Sequence, residues 1–214
     1  MIISRTPFRV SFFGGGTDYP KWYATHPGAV LGTTINKYCY ITCRYLPPFF
    51  EHKSRIIYSK MEHAQTIDDI NHPAVREALR FMNIHEGMEI HHDADLPART
   101  GLGSSSSFTV GLLNCLYALK GQMPTKERLA KEAIHVEQTM CAENVGCQDQ
   151  MLAAHGGLNF IEFGGSGHLQ IRQVTLPEEY LVNLQDHLML FFTGFSRTAS
   201  EIAKHQLENI PKKE

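Results

Sequence analysis

The stretch Leu96-Pro97-Ala98-Arg99-Thr100-Gly101-Leu102-Gly103-Ser104-Ser105-Ser106-Ser107 narrows the choice of fold more than any other part of the chain. Pro97, Gly101 and Gly103 punctuate its first half as a loop. Its second half runs directly into Phe108, Leu112, Cys115, Leu116 and Leu119, apolar residues at helical spacing that stop at Gly121. A helix start leaves about four backbone N–H groups without intrahelical partners, and the helix dipole adds positive potential there. Glycines let an anion come close to the backbone, and serine hydroxyls add donors or a ligand for a metal ion. The segment is therefore suited to holding phosphate. A serine-capped turn is the other reading of the same letters. It is not a Walker A loop, because no Gly-Lys-Ser/Thr follows a Gly-x4 spacing anywhere in the chain.

Around this loop, strands are expected at residues 9–13, 35–45, 55–58, 88–92, 158–163, 168–174 and 188–193. Further helices are expected after Pro124-Thr125, with Leu129, Ala133, Val136 and Met140 on one stripe, and over residues 197–207. Strands and helices mixed without a regular βαβ alternation predict an α+β fold. At 214 residues the chain can bury one core, or one domain and the start of another. A net charge of −2 gives no electrostatic ground for binding nucleic acid or an anionic membrane. No apolar run approaches the roughly 20 residues that span a bilayer. The first seven residues lack the layout of a signal peptide, so a cytoplasmic protein is expected. Cys39, Cys43, Cys115, Cys141 and Cys147 form no CxxC pair and read as free thiols. His91-His92-Asp93-Ala94-Asp95 suggests a metal site, but neighbours on a strand face opposite ways, so a solvated strand end is expected instead.

Two further segments carry chemistry. In Pro7-Phe8-Arg9-Val10-Ser11-Phe12-Phe13-Gly14-Gly15-Gly16-Thr17-Asp18-Tyr19, a strand bearing Arg9 runs into three glycines and an aspartate. Asp18 suits either a substrate hydroxyl or its own turn backbone. In the segment from His135 to Gln150, Glu137 is in register with Ala130, Ile134 and Cys141 and so borders an inward-facing stripe. Asp149 follows a Gly146-Cys147 turn and precedes a resumed apolar pattern, where it is either a reactive carboxylate or a helix cap.

Taken together, the three segments resemble the GHMP kinases, the superfamily of galactokinase, homoserine kinase, mevalonate kinase and phosphomevalonate kinase. Arg9 and Asp18 stand nine apart, as the matching pair does in the first motif of that family. The loop of residues 101–107 is similar to its ATP-phosphate loop, and Gly146-Cys147-Gln148-Asp149-Gln150 to the segment that carries its proposed base. Glu137 lies twelve residues before Asp149, where the family has a magnesium-binding glutamate. The form Gly14-Gly15-Gly16-Thr17-Asp18 resembles the heptose 7-phosphate kinases and the fucokinase domains, and residues 192–200 resemble the former.

The resemblance implies an α+β fold like domain 2 of ribosomal protein S5. Residues 1–193 would be the GHMP N-terminal, ATP-binding domain, and residues 194–214 the start of a C-terminal domain that is largely missing. It implies transfer of phosphate from ATP to the anomeric hydroxyl of a heptose 7-phosphate, within the synthesis of nucleotide-activated heptose. Gly101, Gly103, Ser104, Ser105 and Ser106 would hold the ATP phosphates, and Ser105 with Glu137 would hold Mg²⁺. Asp149 would be the base, Arg9 its catalytic companion, and Gly14, Gly15, Gly16, Thr17 and Asp18 the substrate turn. The partner implied is a small-molecule sugar phosphate. A galactokinase or fucokinase, or a non-turning-over sensor of sugar and ATP, is the alternative.

Overall fold

The computed structural model describes residues 1–98, 100–165 and 168–191. The expected helix over residues 197–207, the motif at residues 192–200 and the domain piece at residues 194–214 lie outside them. Seven strands form one mixed sheet, β1 (Ile2–Phe13), β2 (Gly28–Tyr45), β3 (Ser54–Ile57), β4 (Met61–Ala64), β5 (Met88–Ala94), β6 (Leu158–Gly164) and β7 (His168–Gln173). The helices are α1 (Pro20–Tyr23), α2 (Pro73–Phe81), α3 (Ser104–Leu119), α4 (Lys126–His135), α5 (Gln148–His155) and α6 (Glu178–Asp186). The α+β class expected from the sequence is the class observed.

Strand β2 organises the sheet. Along one edge it pairs antiparallel with β1. Along the other, Gly28–Thr33 pairs with β6 and Cys39–Tyr45 with β5. Beyond these, β3 runs parallel to β5 and β4 closes that side, while β7 closes the other. Strand β2 is much longer than the stretch of residues 35–45 read from β-branched and aromatic letters, because Gly28 and Gly32 dilute the signal of its first half. Gly32 has a packing reason: a Cβ there would meet Leu152 Cδ1 at 2.7 Å and the Val10 carbonyl at 3.2 Å.

Alternation along the strands sends Cys39, Ile41, Cys43, Ile56 and Ile90 into the core and Thr42, Arg44, Arg55, Glu89 and His91 to the open face. Helix α3 is the core's central element, buried almost all round from Ser106 to Leu113. It comes close to β1 because position 111 has no side chain: a Cβ on Gly111 would lie 2.7 Å from Thr6 Oγ1, and Ser4 Oγ donates to the Gly111 carbonyl at 2.9 Å. Gly121, at φ +68°, ends the helix as expected. Thr125 caps α4 by accepting from Arg128 N at 3.2 Å. Helix α4 then passes into one π turn, Val136–Met140, where Cys141 N reaches back to the Val136 carbonyl at 2.8 Å.

Two expectations need correction. Residues 188–190 form no strand, and Leu188, Met189, Leu190 and Phe191 are exposed. The His91-His92 pair is not a solvated strand end, since β5 continues to Ala94. His91 lies on the open face with Nε2 3.2 Å from Glu89, and His92 turns inward against the Phe108 ring. The five cysteines are free thiols, and Cys141 alone among them is not fully buried. Among the described residues no helix is long and apolar enough to cross a membrane.

Candidate active site

The loop before α3 has the geometry that its glycines permit. Gly101 and Gly103 adopt φ +75° and +76°, in the left-handed region that favours glycine. At Gly103 a side chain would also be crowded, its Cβ lying 3.0 Å from Arg9 Cγ and 3.4 Å from Asp149 Oδ2. Strand β1 buttresses the loop: Arg9 N donates to the Leu102 carbonyl at 3.1 Å and Ser107 Oγ to the Pro7 carbonyl at 2.8 Å. Ser104 is half-buried and Ser105 exposed at the mouth of the helix.

Arg9 joins this loop to the third segment. Its Nε and Nη2 donate to the two carboxylate oxygens of Asp149 at 2.6 and 2.7 Å, and its Nη1 donates to the Gly101 carbonyl at 2.8 Å. This fork fixes the plane and position of the carboxylate. The side chains of Arg9 and Asp149 keep 15% and 23% exposure, so the pair is reachable from solvent. Burial acts to lower the Arg9 pKa, but the carboxylates of Asp149 and Asp18 outweigh it and hold the guanidinium above its ordinary value.

Asp18 bonds its own turn backbone, one of the two uses expected of it, and reaches beyond the turn as well. It is 1% exposed. One oxygen accepts from Gly16 N at 3.2 Å and the other from Gln148 N at 3.2 Å, while its carbonyl accepts from Cys147 N at 3.1 Å. The residue clasps the glycine turn to the start of α5 and so helps to set Asp149. Burial, and then the charge of Asp149, raise its pKa. The clasp also dictates glycine at position 146, where a Cβ would fall 1.8 Å from Asp18 Oδ2. Thr17 is likewise spent inside the turn, with Oγ1 donating to the Gly14 carbonyl at 2.8 Å.

The three glycines of that turn differ. Gly14 has φ +87° and would place a Cβ 1.8 Å from the Ala29 carbonyl oxygen, and Gly16 has φ +97°. The backbone requires both. Gly15 has no such φ and nothing within 4 Å of its Cβ position, so its missing side chain leaves open space that the fold does not need.

Below the loop lies Glu137, carried by the π turn and 1% exposed. Ser105 is the serine expected to share a metal ion with this carboxylate, and the hydrogen bond that Glu137 receives from the first turn of α3 comes from the neighbouring serine. One residue further round α3, about 100°, Ser106 Oγ donates to Glu137 Oε2 at 2.9 Å, and Gln150 Nε2 donates to the same oxygen at 2.6 Å. Glu137 Oε1 is buried with no hydrogen-bond partner. Burial pushes the carboxyl up to about 7 against the pull of these donors and of the neighbouring Thr109 hydroxyl. A buried carboxylate that has neutral donors on one oxygen and an idle second oxygen fits a hard divalent cation, which prefers oxygen ligands. Sequence reasoning included Gln150 and Gly146 in a motif but gave neither a role of its own, because neither letter by itself reveals a partner in another segment.

Residues 70–157 match the family model described as the GHMP kinases N terminal domain. The chain is 26% identical to the D-glycero-alpha-D-manno-heptose 7-phosphate kinase of Campylobacter jejuni, over 96% of this chain and 63% of that protein. It is 28% identical to the galactokinase of Pyrococcus furiosus, over 96% of this chain and 57% of that one. Among solved structures it is similar to a D-glycero-D-manno-heptose 1-phosphate kinase of Bacteroides thetaiotaomicron, with a TM-score of 0.76, 22% identity, and coverage of 86% of this chain and 62% of the other. The chain thus spans less than two thirds of each of these proteins.

Proposed function

We propose that this chain, which carries a GHMP kinase N-terminal domain, is the nucleotide-binding part of an ATP-dependent sugar kinase that phosphorylates the anomeric hydroxyl of a heptose 7-phosphate. The observation that carries the reading is the Arg9–Asp149 fork set directly against the loop that opens α3. When bound, ATP supplies the phosphoryl group and Mg²⁺ neutralises charge on it. The chain's own residues position and hold. Backbone N–H groups at Gly103, Ser104 and Ser105 and the hydroxyls of Ser104 and Ser105 would hold the phosphates. Glu137 would hold the cation, together with a serine hydroxyl of the first turn of α3. Asp149 would take the proton of the sugar hydroxyl, and Arg9 fixes the position and plane of that carboxylate through its two-pronged contact.

Gly15 supports a substrate with a second phosphate. A carboxylate at that position would face the phosphate of the sugar, and two like charges about 4 Å apart near a protein surface cost on the order of 4 kcal/mol at an effective dielectric of 20. Without that carboxylate the turn carries no negative side chain at position 15, although the Gly16 and Thr17 N–H groups are spent inside the turn. ADP release measured with heptose 7-phosphate, unphosphorylated heptose, galactose and fucose tests this. The phosphorylated heptose is expected to lead its unphosphorylated form by at least about tenfold in kcat/KM, roughly 1.4 kcal/mol. Gly15→Glu, which the open space admits, is expected to hurt the phosphorylated substrate selectively. Equal use of both heptoses, or a preference for galactose or fucose, would replace the reading with that of another sugar kinase.

A further inference from the structure

Glu137 and Gln150 are fully buried polar side chains next to the candidate site, at 1% and 0% exposure, and they are bonded to each other. The arrangement is lopsided. Ser106 and Gln150 both donate to Oε2, and Oε1 receives nothing. A carboxylate loaded in this way cannot rotate without breaking two hydrogen bonds in a dry environment, where each unmade bond is costly. Gln150 is also the immediate neighbour of Asp149 on α5, so one short helix carries both the forked carboxylate and the amide that pins Glu137.

We infer that Gln150 is a positioning residue that occupies Oε2 of Glu137, so that Oε1 alone is presented to a divalent cation. The inference rests on the cation reading of Glu137 above. One-oxygen binding suits Mg²⁺ or Mn²⁺, which keep a compact octahedral shell and several waters, and handicaps Ca²⁺, which readily takes both oxygens of a carboxylate. Gln150 therefore sets cation selectivity as well as affinity. Outer residues that hold a metal ligand in place are commonly worth about 10–100-fold in affinity.

The test measures Mn²⁺ binding by electron paramagnetic resonance, with and without a non-hydrolysable ATP analogue, and Ca²⁺ by competition. It uses the full chain and the variants Glu137→Gln and Gln150→Met, with circular dichroism and Tm recorded on the metal-free proteins. Methionine keeps the bulk of Gln150 and removes its donors. Gln150→Met is expected to keep the fold, to weaken Mn²⁺ at least about tenfold and to narrow the preference for Mn²⁺ over Ca²⁺. If Glu137→Gln weakens Mn²⁺ but Gln150→Met matches the unaltered chain in both affinity and selectivity, the positioning role is overturned and the cation site stands. If neither variant changes Mn²⁺ binding, the cation reading itself falls and takes this inference with it. Should Gln150→Met fail to fold, Gln150→Asn sets the amide back by one methylene. Unchanged selectivity in that variant would overturn the proposal equally.

Discussion

Glu89 and Glu137 are both nearly sealed from water, yet the chain treats their charges in opposite ways. Glu89, on the open face of the sheet, accepts from Arg44, from Arg55 and from His91. It is covered by the side chains of its own partners rather than by the core. Burial alone would raise its pKa, but Arg55, His91 and Arg44 pull it down to about 2. Glu137, under the α3 loop, has the neutral Thr109, Ser106 and Gln150 side chains for company, and burial drives it up to about 7 against them. A sheet face that only has to be stable neutralises its buried charge locally. Where the charge is left unneutralised, the counter-charge is expected to come from outside the chain.

Three substitutions sharpen or break this contrast. The largest effect is expected from Asp149→Asn, which keeps the shape of the forked carboxylate and removes its ability to take a proton. Turnover should fall by about two to four orders of magnitude with nucleotide affinity little changed. Steady-state kinetics together with nucleotide titration decide it, and turnover at the original rate would remove Asp149 from the mechanism.

Next is Glu137→Gln. A glutamate titrates near 4.3 in an unfolded chain and Glu137 at about 7 in the folded one. The folded state therefore holds the extra proton between those values. The stability present below pH about 4 is lost as pH rises through about 7, on the order of 4 kcal/mol in all. Above pH 7 the glutamine variant should accordingly melt higher than the unaltered chain, while its response to Mg²⁺ weakens. Equal melting temperatures at pH 8 would show that the carboxylate already has a counter-charge inside the protein.

The smallest effect is expected from Glu89→Gln, and it has the opposite sign. With its folded pKa held down to about 2, Glu89 contributes stability that is present above pH about 4 and lost as pH falls through about 2. The arginines are partly exposed, 43% for Arg44 and 26% for Arg55, so water screens the pair and the loss at pH 7 should be about 1–2 kcal/mol. Denaturant melts of the two chains at pH 7 and pH 2.5 check it: the gap should shrink in acid, and kinase turnover should not move.

What the letters disclosed follows the range of the forces involved. The loop before α3 was readable because glycine freedom, serine caps and helical periodicity are local properties of consecutive residues. Arg9, Asp18 and Asp149 could be picked out segment by segment, but the roles of the first two depended on contacts 140 and 130 residues away in sequence. Asp18 was read as suited to a substrate hydroxyl or to its own turn backbone; the second contact is present at Gly16, and nothing in the letters says that a Gln148 amide will reach it as well. Ser105 and Ser106 are the same residue type, and only the phase of α3 decides which one turns toward Glu137. Helix α2 was not anticipated at all. The first half of β2 was lost to its glycines, since a strand stabilised by neighbours on both edges does not need strong propensity of its own.

That strand has a consequence for the order in which the protein can be made. Synthesis runs from the N-terminus, and β1 is available to zip onto β2 as soon as both have left the ribosome. The other edge of Gly28–Thr33 waits for β6, the sixth of the seven described strands. At elongation rates of roughly 5–20 residues per second, that wait is on the order of 10 s. For that interval a row of backbone donors and acceptors lies open to any other extended segment, the situation in which nascent chains mispair. Two glycines in the waiting stretch, Gly28 and Gly32, make it a poor template in the meantime, since glycine weakens a strand that nothing yet packs against. The same residues that hid this strand from a reader of the sequence hide it from other nascent chains.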